Sequence, residues 1–363
     1  MRLVVVILLF MLSSIGLTAC ASNAHYDASR AHHTESGFRN IGYQDDKGLG
    51  AFLKWQWQRL FRESPADREY RFELDRSQHA RLKDNHDRAS LTWLGHATFL
   101  LQFNGLNILT DPHLTERASP FSWIGPRRQV PVPIEMEQLP AIDVLLISHD
   151  HYDALDAGTI ELLLARNQQQ PLTIIVPLGL RDWFISQDFK APAETLAQLQ
   201  IIELDWQQSV TLKGVSFIAE PSQHWSKRSL FDAYERLWAS WVISADQRRI
   251  FFAGDTGYAD HFRQLGEKYN GFNLALLPIG AYEPRWFMRA YHVNPQEAVQ
   301  MHQDLQARYS VAMHWGTFIL TDESLDEPPR KLRQALLEAE LPLTEFEVYK
   351  HGETRWLDGR YGF

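Results

Sequence analysis

Two histidines and an aspartate lie two residues apart, directly after an apolar stretch of the chain. His149, His151 and Asp153 follow residues 144–147, whose aliphatic side chains predict a buried strand. Imidazole nitrogens and carboxylate oxygens at close spacing are ligands that zinc and similar ions prefer. Such a cluster at an apolar strand end is unfavourable without a metal or other partners. The segment therefore predicts a metal site where this strand ends.

Three further ligand candidates follow later strands in the same manner. His224, Asp255 and His314 each come within a few residues of the end of an apolar stretch. A lone histidine near a strand is more often structural, so each residue by itself is weak evidence. Glycines on either side of Asp255 permit a close approach of the backbone. Taken together with the first segment, these residues predict one metal centre built at several strand ends.

Short strands mixed with helices are expected to position these residues. Asn104-Gly105 predicts a hairpin turn, and Asn294 and the prolines at 328–329 predict helix starts. Strands mixed with helices, with ligands at the strand ends, indicate an α+β fold of two sheets with helices outside. The predicted strands are residues 91–103, 106–110, 144–147, 173–176, 201–204, 215–219, 237–244, 249–253, 274–277 and 310–313.

Longer motifs around these residues resemble one family of enzymes. The order His-x-His-x-Asp, His, Gly-Asp-Thr-Gly, His resembles the metallo-β-lactamase-fold hydrolases. More narrowly, the chain resembles the phospholipases D that hydrolyse N-acylphosphatidylethanolamine. The stretches that carry this resemblance are TWLGHAT (92–98), QHWSKR (223–228), AGDTGY (253–258), PIGAYEPRWFM (278–288), HWGTF (314–318) and KHGE (350–353). The resemblance covers about residues 85–357 and implies a four-layer αββα sandwich with an N-terminal extension.

The resemblance assigns the ligand candidates to two zinc ions. His149, His151 and His224 would bind the first ion. Asp153 and His314 would bind the second, and Asp255 would bridge the two. The resemblance also implies that Asp255 and Asp153 take part in catalysis.

Ala154 is the departure from the family pattern, which has a histidine ligand of the second ion at this position. Losing an outer partner of a ligand already costs roughly 10–100-fold in metal affinity or activity, so losing a ligand should cost at least as much. We therefore expect two zinc ions, with the second bound more weakly. An alternative is a one-metal, non-catalytic module that binds lipid.

Four residues near the predicted ligands are further candidates for the site. Asp111 follows a strand and could orient a ligating histidine, or it could cap a turn. His96 could line the site or only fill space. The resemblance implies that His292 lies near the substrate head group, although a structural histidine before a helix is as plausible. Tyr152, within the metal motif, is a second substrate-binding candidate.

The resemblance implies a metal-dependent phosphodiesterase of the phospholipase D type. In the family's reaction, metal-activated water attacks the phosphodiester of N-acylphosphatidylethanolamine and releases an N-acylethanolamine and phosphatidic acid. A hydrolase of another substrate, such as a lactone, an amide or a cyclic phosphate, is the alternative, because fold does not fix reaction. The resemblance also suggests a homodimer.

The N-terminus predicts a bacterial lipoprotein signal over residues 1–19. Arg2 precedes ten apolar residues, too few to span a bilayer, and Leu17-Thr18-Ala19 leads to Cys20, the only cysteine of the chain. We therefore expect lipidation at Cys20 and an anchor in the bacterial cell envelope, on the periplasmic face of the outer membrane. An ordinary signal peptide is the alternative.

The remainder of the chain divides at about residue 85. Residues 20–85 form a polar N-terminal extension with one aromatic segment at 52–61. This segment predicts a helix that packs on the main domain or contacts lipid or a second subunit. Residues 86–363 form the hydrolase domain. The net charge of −9, without a basic stretch interleaved with aromatics, argues against nucleic acid as a partner. A membrane phospholipid is the expected substrate.

Overall fold

A computed structural model describes residues 23–45, 47–62, 64–166 and 171–363 of the chain. The signal segment over residues 1–19 and the lipidation site at Cys20 lie outside the described residues. Among the residues that are described, no helix has both the length and the apolar character needed to cross a membrane.

Most of the chain forms short strands and helices in mixed order. The strands are β1 (His33–Thr34), β2 (Gly37–Phe38), β3 (Ser90–Gly95), β4 (Thr98–Phe103), β5 (Leu106–Thr110), β6 (Val144–Leu146), β7 (Thr173–Pro177), β8 (Gln200–Leu204), β9 (Ser209–Leu212), β10 (Val215–Glu220), β11 (Ser240–Ala245), β12 (Arg248–Phe252), β13 (Leu274–Pro278), β14 (Ser310–Met313), β15 (Phe346–Glu347) and β16 (Thr354–Trp356). The α-helices are α1 (Leu49–Arg59), α2 (His79–Leu82), α3 (Ala157–Arg166), α4 (Arg181–Ser186), α5 (Ala193–Ala197), α6 (His261–Tyr269), α7 (Arg285–Met288), α8 (Pro295–Asp304) and α9 (Glu327–Glu338).

Two seven-stranded sheets form the centre of the fold. The first has the order β16-β3-β4-β5-β6-β7-β8, and the second has the order β15-β14-β13-β12-β11-β10-β9. In each sheet antiparallel hairpins give way to parallel strands, at β5–β6 in the first and at β12–β13 in the second. Because parallel strands end at the same edge, the loops after β6, β12 and β14 bring their side chains to one end of each sheet.

The alternation of β6 shows how the layers stack. Val144 and Leu146 belong to a large core that also contains the second sheet and side chains of α6, α8 and α9. Leu145 and the following Ile147 point the other way, into a second core with α3 and α4. The fold is thus a sandwich of two sheets with helices on both outer faces, which confirms the predicted fold class.

The N-terminal extension packs closely on the hydrolase domain. Phe38 of β2 is buried in the large core, and the amide of Asn40 bonds the backbone of His224 on both sides, through His224 O at 2.8 Å and His224 N at 3.1 Å. Farther along, Trp55 of α1 is buried and stacks on Phe287 of α7, with ring centroids 5.0 Å apart. The aromatic helix therefore uses one side for packing, while other apolar residues on it stay exposed.

Candidate metal centre

The loops that follow four strands bring the predicted ligands to one place. His149, His151 and Asp153 lie after β6 of the first sheet. In the second sheet, His224 follows β10, Asp255 follows β12 and His314 follows β14. The sequence therefore predicted this meeting point from residue types and strand ends alone.

Three of the histidines form a first group. Ligand atoms of His149, His151 and His224 all lie within 4.8 Å of one another. His224 Nε2 is 3.1 Å from His151 Nδ1. Ligands at about 2.0–2.1 Å from a tetrahedral zinc ion stand roughly 3.3 Å apart, so this spacing suits a single ion.

A second group lies beside the first. His314 Nε2 is 3.4 Å from Asp153 Oδ2, and His96 Nε2 is 3.0 Å from the same oxygen. Ala154, the departure from the family pattern, is buried and offers no ligand atom. The group thus consists of one carboxylate and two imidazoles, and His96 belongs to it.

Asp255 joins the two groups. Its Oδ2 lies 3.7 Å from His149 Nε2 and 3.9 Å from His224 Nε2 on one side, and 3.0 Å from His314 Nε2 on the other. Both His149 Nε2 and His314 Nε2 are buried and have no hydrogen-bond partner among the described residues. Two metal ions bound side by side require unpaired ring nitrogens that converge on a shared carboxylate. The residues present therefore fit two divalent ions.

The electrostatics of the centre also suit cations. Burial lowers the pKa of His149 to about 3, so its ring is neutral and keeps a lone pair. Burial alone would raise the pKa values of Asp153 and Asp255, but the neighbouring His314 outweighs it and holds both well below the usual value. Burial would lower the pKa of His314, yet the two carboxylates raise it to about 10. Two buried negative charges therefore draw positive charge into the space between them.

Hydrogen bonds fix the ring orientation of two ligands. His224 Nδ1 donates to the carbonyl oxygen of Tyr291 at 3.0 Å, which leaves Nε2 free for a metal. His149 Nδ1 is 2.8 Å from Ser148 Oγ, and Ser148 Oγ is 2.5 Å from Asp111 Oδ2. Asp111 reaches His149 through Ser148, and its role in orienting that ring stays a prediction.

The remaining candidates lie at the edge of the centre. The ring of His292 is 5.2 Å from that of His224 between centroids, and burial lowers the pKa of His292 to about 4. Tyr152 donates its hydroxyl hydrogen to the carbonyl oxygen of Arg228 at 2.7 Å. It also lines a cavity of about 410 Å³. The substrate-binding roles of His292 and Tyr152 stay predictions.

Some residues of the site escaped the sequence analysis. Asn40 holds the backbone of His224 from 184 positions away, and no local pattern marks it. Asp150, inside the metal motif, accepts hydrogen bonds from Lys227 N and Arg236 Nη1, which secures the loop after His224. Its place between two ligands was the signal that could have identified it.

Comparison with known proteins places this geometry in a family. A model of the β-lactamase superfamily domain matches residues 106–315, more than half of the chain. The chain belongs to this superfamily. It is a metallo-hydrolase of the β-lactamase fold, and the predicted family resemblance is confirmed.

Relatives within the superfamily span most of the chain. It is 41% identical over 280 residues to N-acyl-phosphatidylethanolamine-hydrolyzing phospholipase D 1 of Caenorhabditis elegans, covering 74% of this chain and 77% of that protein. It is 28% identical to a metal-dependent hydrolase of Aeropyrum pernix, covering 74% of this chain and 98% of the relative. The structure of Igni18, a metallo hydrolase from Ignicoccus hospitalis, superposes with a TM-score of 0.54 at 21% identity, covering 76% of this chain and all of that one.

Proposed function

We propose that this metallo-hydrolase is a zinc-dependent phosphodiesterase of the phospholipase D type. It would hydrolyse N-acylphosphatidylethanolamine-like lipids to an N-acylethanolamine and a phosphatidic acid. The observation that carries the proposal is the 41% identity over 280 residues to the C. elegans enzyme whose name states that substrate.

The ligand chemistry of the centre supports zinc as the metal. Imidazoles and ionised carboxylates are suitable zinc ligands, and His314, whose pKa is raised to about 10, would release its proton when an ion binds. The chain has one cysteine, so thiolates do not compete. Two zinc ions held there would make a water molecule more acidic and neutralise charge on the phosphate. Asp153 and Asp255 supply the negative charge that retains such ions, and the bonds made by Asp111 and Tyr291 hold the imidazoles in position.

A cavity beside the metal loop has the size and lining that a lipid head group needs. It measures about 410 Å³, and its lining includes Tyr152, Arg117 and Arg228. That volume lies in the usual range for small-molecule sites. The Arg228 guanidinium sits 4.2 Å from the centroid of the Tyr152 ring, so a positive charge is fixed beside the metal loop. This charge suits a phosphodiester.

Apolar side chains near this cavity support a lipid substrate. Phe121, which lines the cavity, and the nearby Trp123 are largely exposed. Beyond Arg228, Leu230 is also exposed, and Phe231 is 89% exposed. Exposed apolar residues in such loops are typical of surfaces that contact membranes or partners.

We propose in addition that lipidated Cys20 anchors the enzyme in the bacterial envelope, where enzyme and substrate share one surface. Each buried methylene of a lipid chain contributes about 0.8 kcal/mol to membrane binding, which offsets repulsion between an acidic protein and anionic lipid.

The experiment is to express the full-length chain in a bacterium and to assay its membranes with N-acylphosphatidylethanolamine in mixed vesicles. We expect N-acylethanolamine and phosphatidic acid in equal amounts by mass spectrometry. Asp255→Asn should lower the rate more than about 100-fold, because even loss of a ligand's outer partner costs roughly 10–100-fold. Asp246→Asn, which alters an exposed turn residue paired with Arg248, is the matched control and should leave the rate unchanged.

The same preparation reports the anchor. Cys20→Ala should move the activity from the membrane fraction to the periplasmic extract without lowering the rate per molecule. Zinc-loaded protein that releases neither product would refute the phospholipase assignment, and turnover of a lactone, amide or cyclic phosphate panel instead would identify the alternative hydrolase.

A further inference from the structure

The second metal group includes a histidine that lies outside the metal motif of residues 149–153. The pattern places a ligand at position 154, and Ala154 has no atom that binds a metal. In the fold, however, His96 Nε2 stands 3.0 Å from Asp153 Oδ2. This histidine comes from the first sheet, 57 positions earlier in the chain.

The position of His96 matches that of a ligand. Ligand atoms of His96, Asp153 and His314 all lie within 4.8 Å of one another. The two distances to Asp153 Oδ2, 3.0 Å from His96 Nε2 and 3.4 Å from His314 Nε2, bracket the spacing of about 3.3 Å expected for two ligands of one zinc ion. The rings of His96 and His314 are close, with centroids 4.0 Å apart.

The backbone fixes His96 in this place. It occupies the tight turn between β3 and β4 with a φ of +51°, a conformation that is uncommon for residues other than glycine. Its N–H donates to Thr317 Oγ1 at 2.8 Å, and its carbonyl oxygen accepts from the N–H of His314 at 2.9 Å. Strained residues held by their surroundings cluster at functional sites. The turn is thus tied directly to the loop that carries another ligand.

A purely structural histidine accounts less well for these contacts. The His96 side chain is buried, and its Nε2 faces the carboxylate that His314 also approaches. His96 Nε2 bonds Asp153 Oδ2, but His314 Nε2, 3.4 Å from the same oxygen, has no hydrogen-bond partner among the described residues. Burying that nitrogen is costly unless an ion occupies the space between the three groups. A ligand role removes that cost, because the ion then pairs with all three groups.

We propose that His96 takes the place of the missing histidine and binds the second metal ion together with Asp153, His314 and the bridging Asp255. The second site is then complete despite Ala154. The inference rests on the proposed function only for the identity of the metal, and it does not depend on which substrate is hydrolysed.

The test is the zinc content per chain, measured by elemental analysis on full-length protein purified in detergent and dialysed against trace zinc. We expect two ions in the unaltered protein and one in His96→Gln, because glutamine can still donate a hydrogen bond to Asp153 but is a poor zinc ligand. His96→Ala should also hold one ion. His113→Gln, which alters a buried histidine outside the candidate groups, should retain two.

A rescue variant separates the ligand role from a folding role. His96→Ala combined with Ala154→His should bind two ions again, because the imidazole returns from the family's usual position. Circular dichroism checks that each variant is folded. Two ions in His96→Gln, or a single ion in the unaltered protein, would overturn the proposal. These results would leave the phospholipase assay unaffected, so the two proposals can fail separately.

Discussion

At the scale of single residues, the relay from Asp111 to His149 decides which nitrogen of the ring is free. Asp111 Oδ1 accepts from Ser148 N at 2.7 Å, and this contact orients the carboxylate. Its Oδ2 is then left for the Ser148 hydroxyl, whose oxygen in turn accepts from His149 Nδ1. Burial raises the pKa of Asp111 well above its usual value. With Asp111 ionised, the ring proton sits on Nδ1 and the lone pair of Nε2 points into the metal centre. Outer contacts of this kind set the tautomer of a metal ligand.

Asp111→Asn should reverse this relay. The amide oxygen would keep the bond from Ser148 N, so the NH₂ group would face Ser148 Oγ and donate to it. The hydroxyl would then donate to His149 Nδ1 and leave the ring proton on Nε2. We expect zinc affinity to fall roughly 10–100-fold in a competition titration with a chelator. Asp358→Asn, at an exposed ion pair with Arg88, is the control, and equal affinities of the two variants would contradict the relay.

At the scale of elements, Gly254 after β12 determines how closely the loops with Asp255 and His149 approach each other. Gly254 has a φ of +58°, and a Cβ at this position would lie 2.5 Å from Ser148 Cβ. The absence of a side chain therefore lets the loop with Asp255 press against the loop with His149. Gly105 also has a positive φ, of +74°, but a Cβ there would meet nothing within 4 Å.

Gly254 and Gly105 allow a matched comparison of a crowded and an open glycine position. Gly105→Ala should cost only the strain of the left-handed conformation, about 1–2 kcal/mol. Gly254→Ala should cost that strain and a further 1–3 kcal/mol or so, because Ser148 must move away from the new methyl group. Unfolding in denaturant measures both costs, and zinc content should fall only in Gly254→Ala. Equal losses of stability would show that the close approach has no energetic weight.

The elements show where sequence reasoning succeeds and where it stops. Apolar stretches bounded by turn residues predicted β5, β6, β7 and β13 to within about a residue, because strands buried on both faces have an unmistakable composition. The predicted strand over residues 91–103 was wrong in one respect, since the chain turns at His96 and forms β3 and β4 instead. Gly95 and His96, both with positive φ, mark the break, but a single glycine within a strand pattern was not enough to predict it.

Long-range contacts were also beyond prediction. The short edge strand β16 pairs with β3, whose residues precede it by about 260 positions. Asn40 likewise reaches His224 across 184 positions. Such contacts depend on the assembled fold, and no local pattern encodes them. The ligand candidates were predictable for the opposite reason, because a strand end carries several of them at short spacing.

At the scale of the whole molecule, buried histidines make the fold sensitive to acid. His351 lies next to Trp93, with ring centroids 4.3 Å apart, and is 1% exposed. Burial, with a smaller effect of Arg128, lowers the pKa of His351 to about 3. The unfolded chain binds a proton at this residue below about pH 6.5, whereas the folded chain does not. Stability is therefore complete above about pH 6.5 and declines as the pH falls towards 3.

His351→Leu should flatten this dependence. One depressed histidine contributes up to about 1.4 kcal/mol per pH unit to the slope of the unfolding free energy. We expect the slope between about pH 6 and pH 4 to decrease by up to that amount, whatever the variant's stability at neutral pH. Denaturant unfolding at several pH values measures it. His86→Leu, at an exposed residue, should leave the slope unchanged, and an unchanged slope in His351→Leu would refute the assignment.

Each candidate metal group draws its members from both sheets. In the first group, His149 and His151 follow a strand of one sheet and His224 a strand of the other; in the second, His96 and Asp153 face His314. An ion in either group would cross-link the two halves of the sandwich, and any ligand bound only by the folded state stabilises it. The local supply of metal would then govern both the lifetime of the folded chain and its rate of hydrolysis. Scarcity of metal would lower the two together.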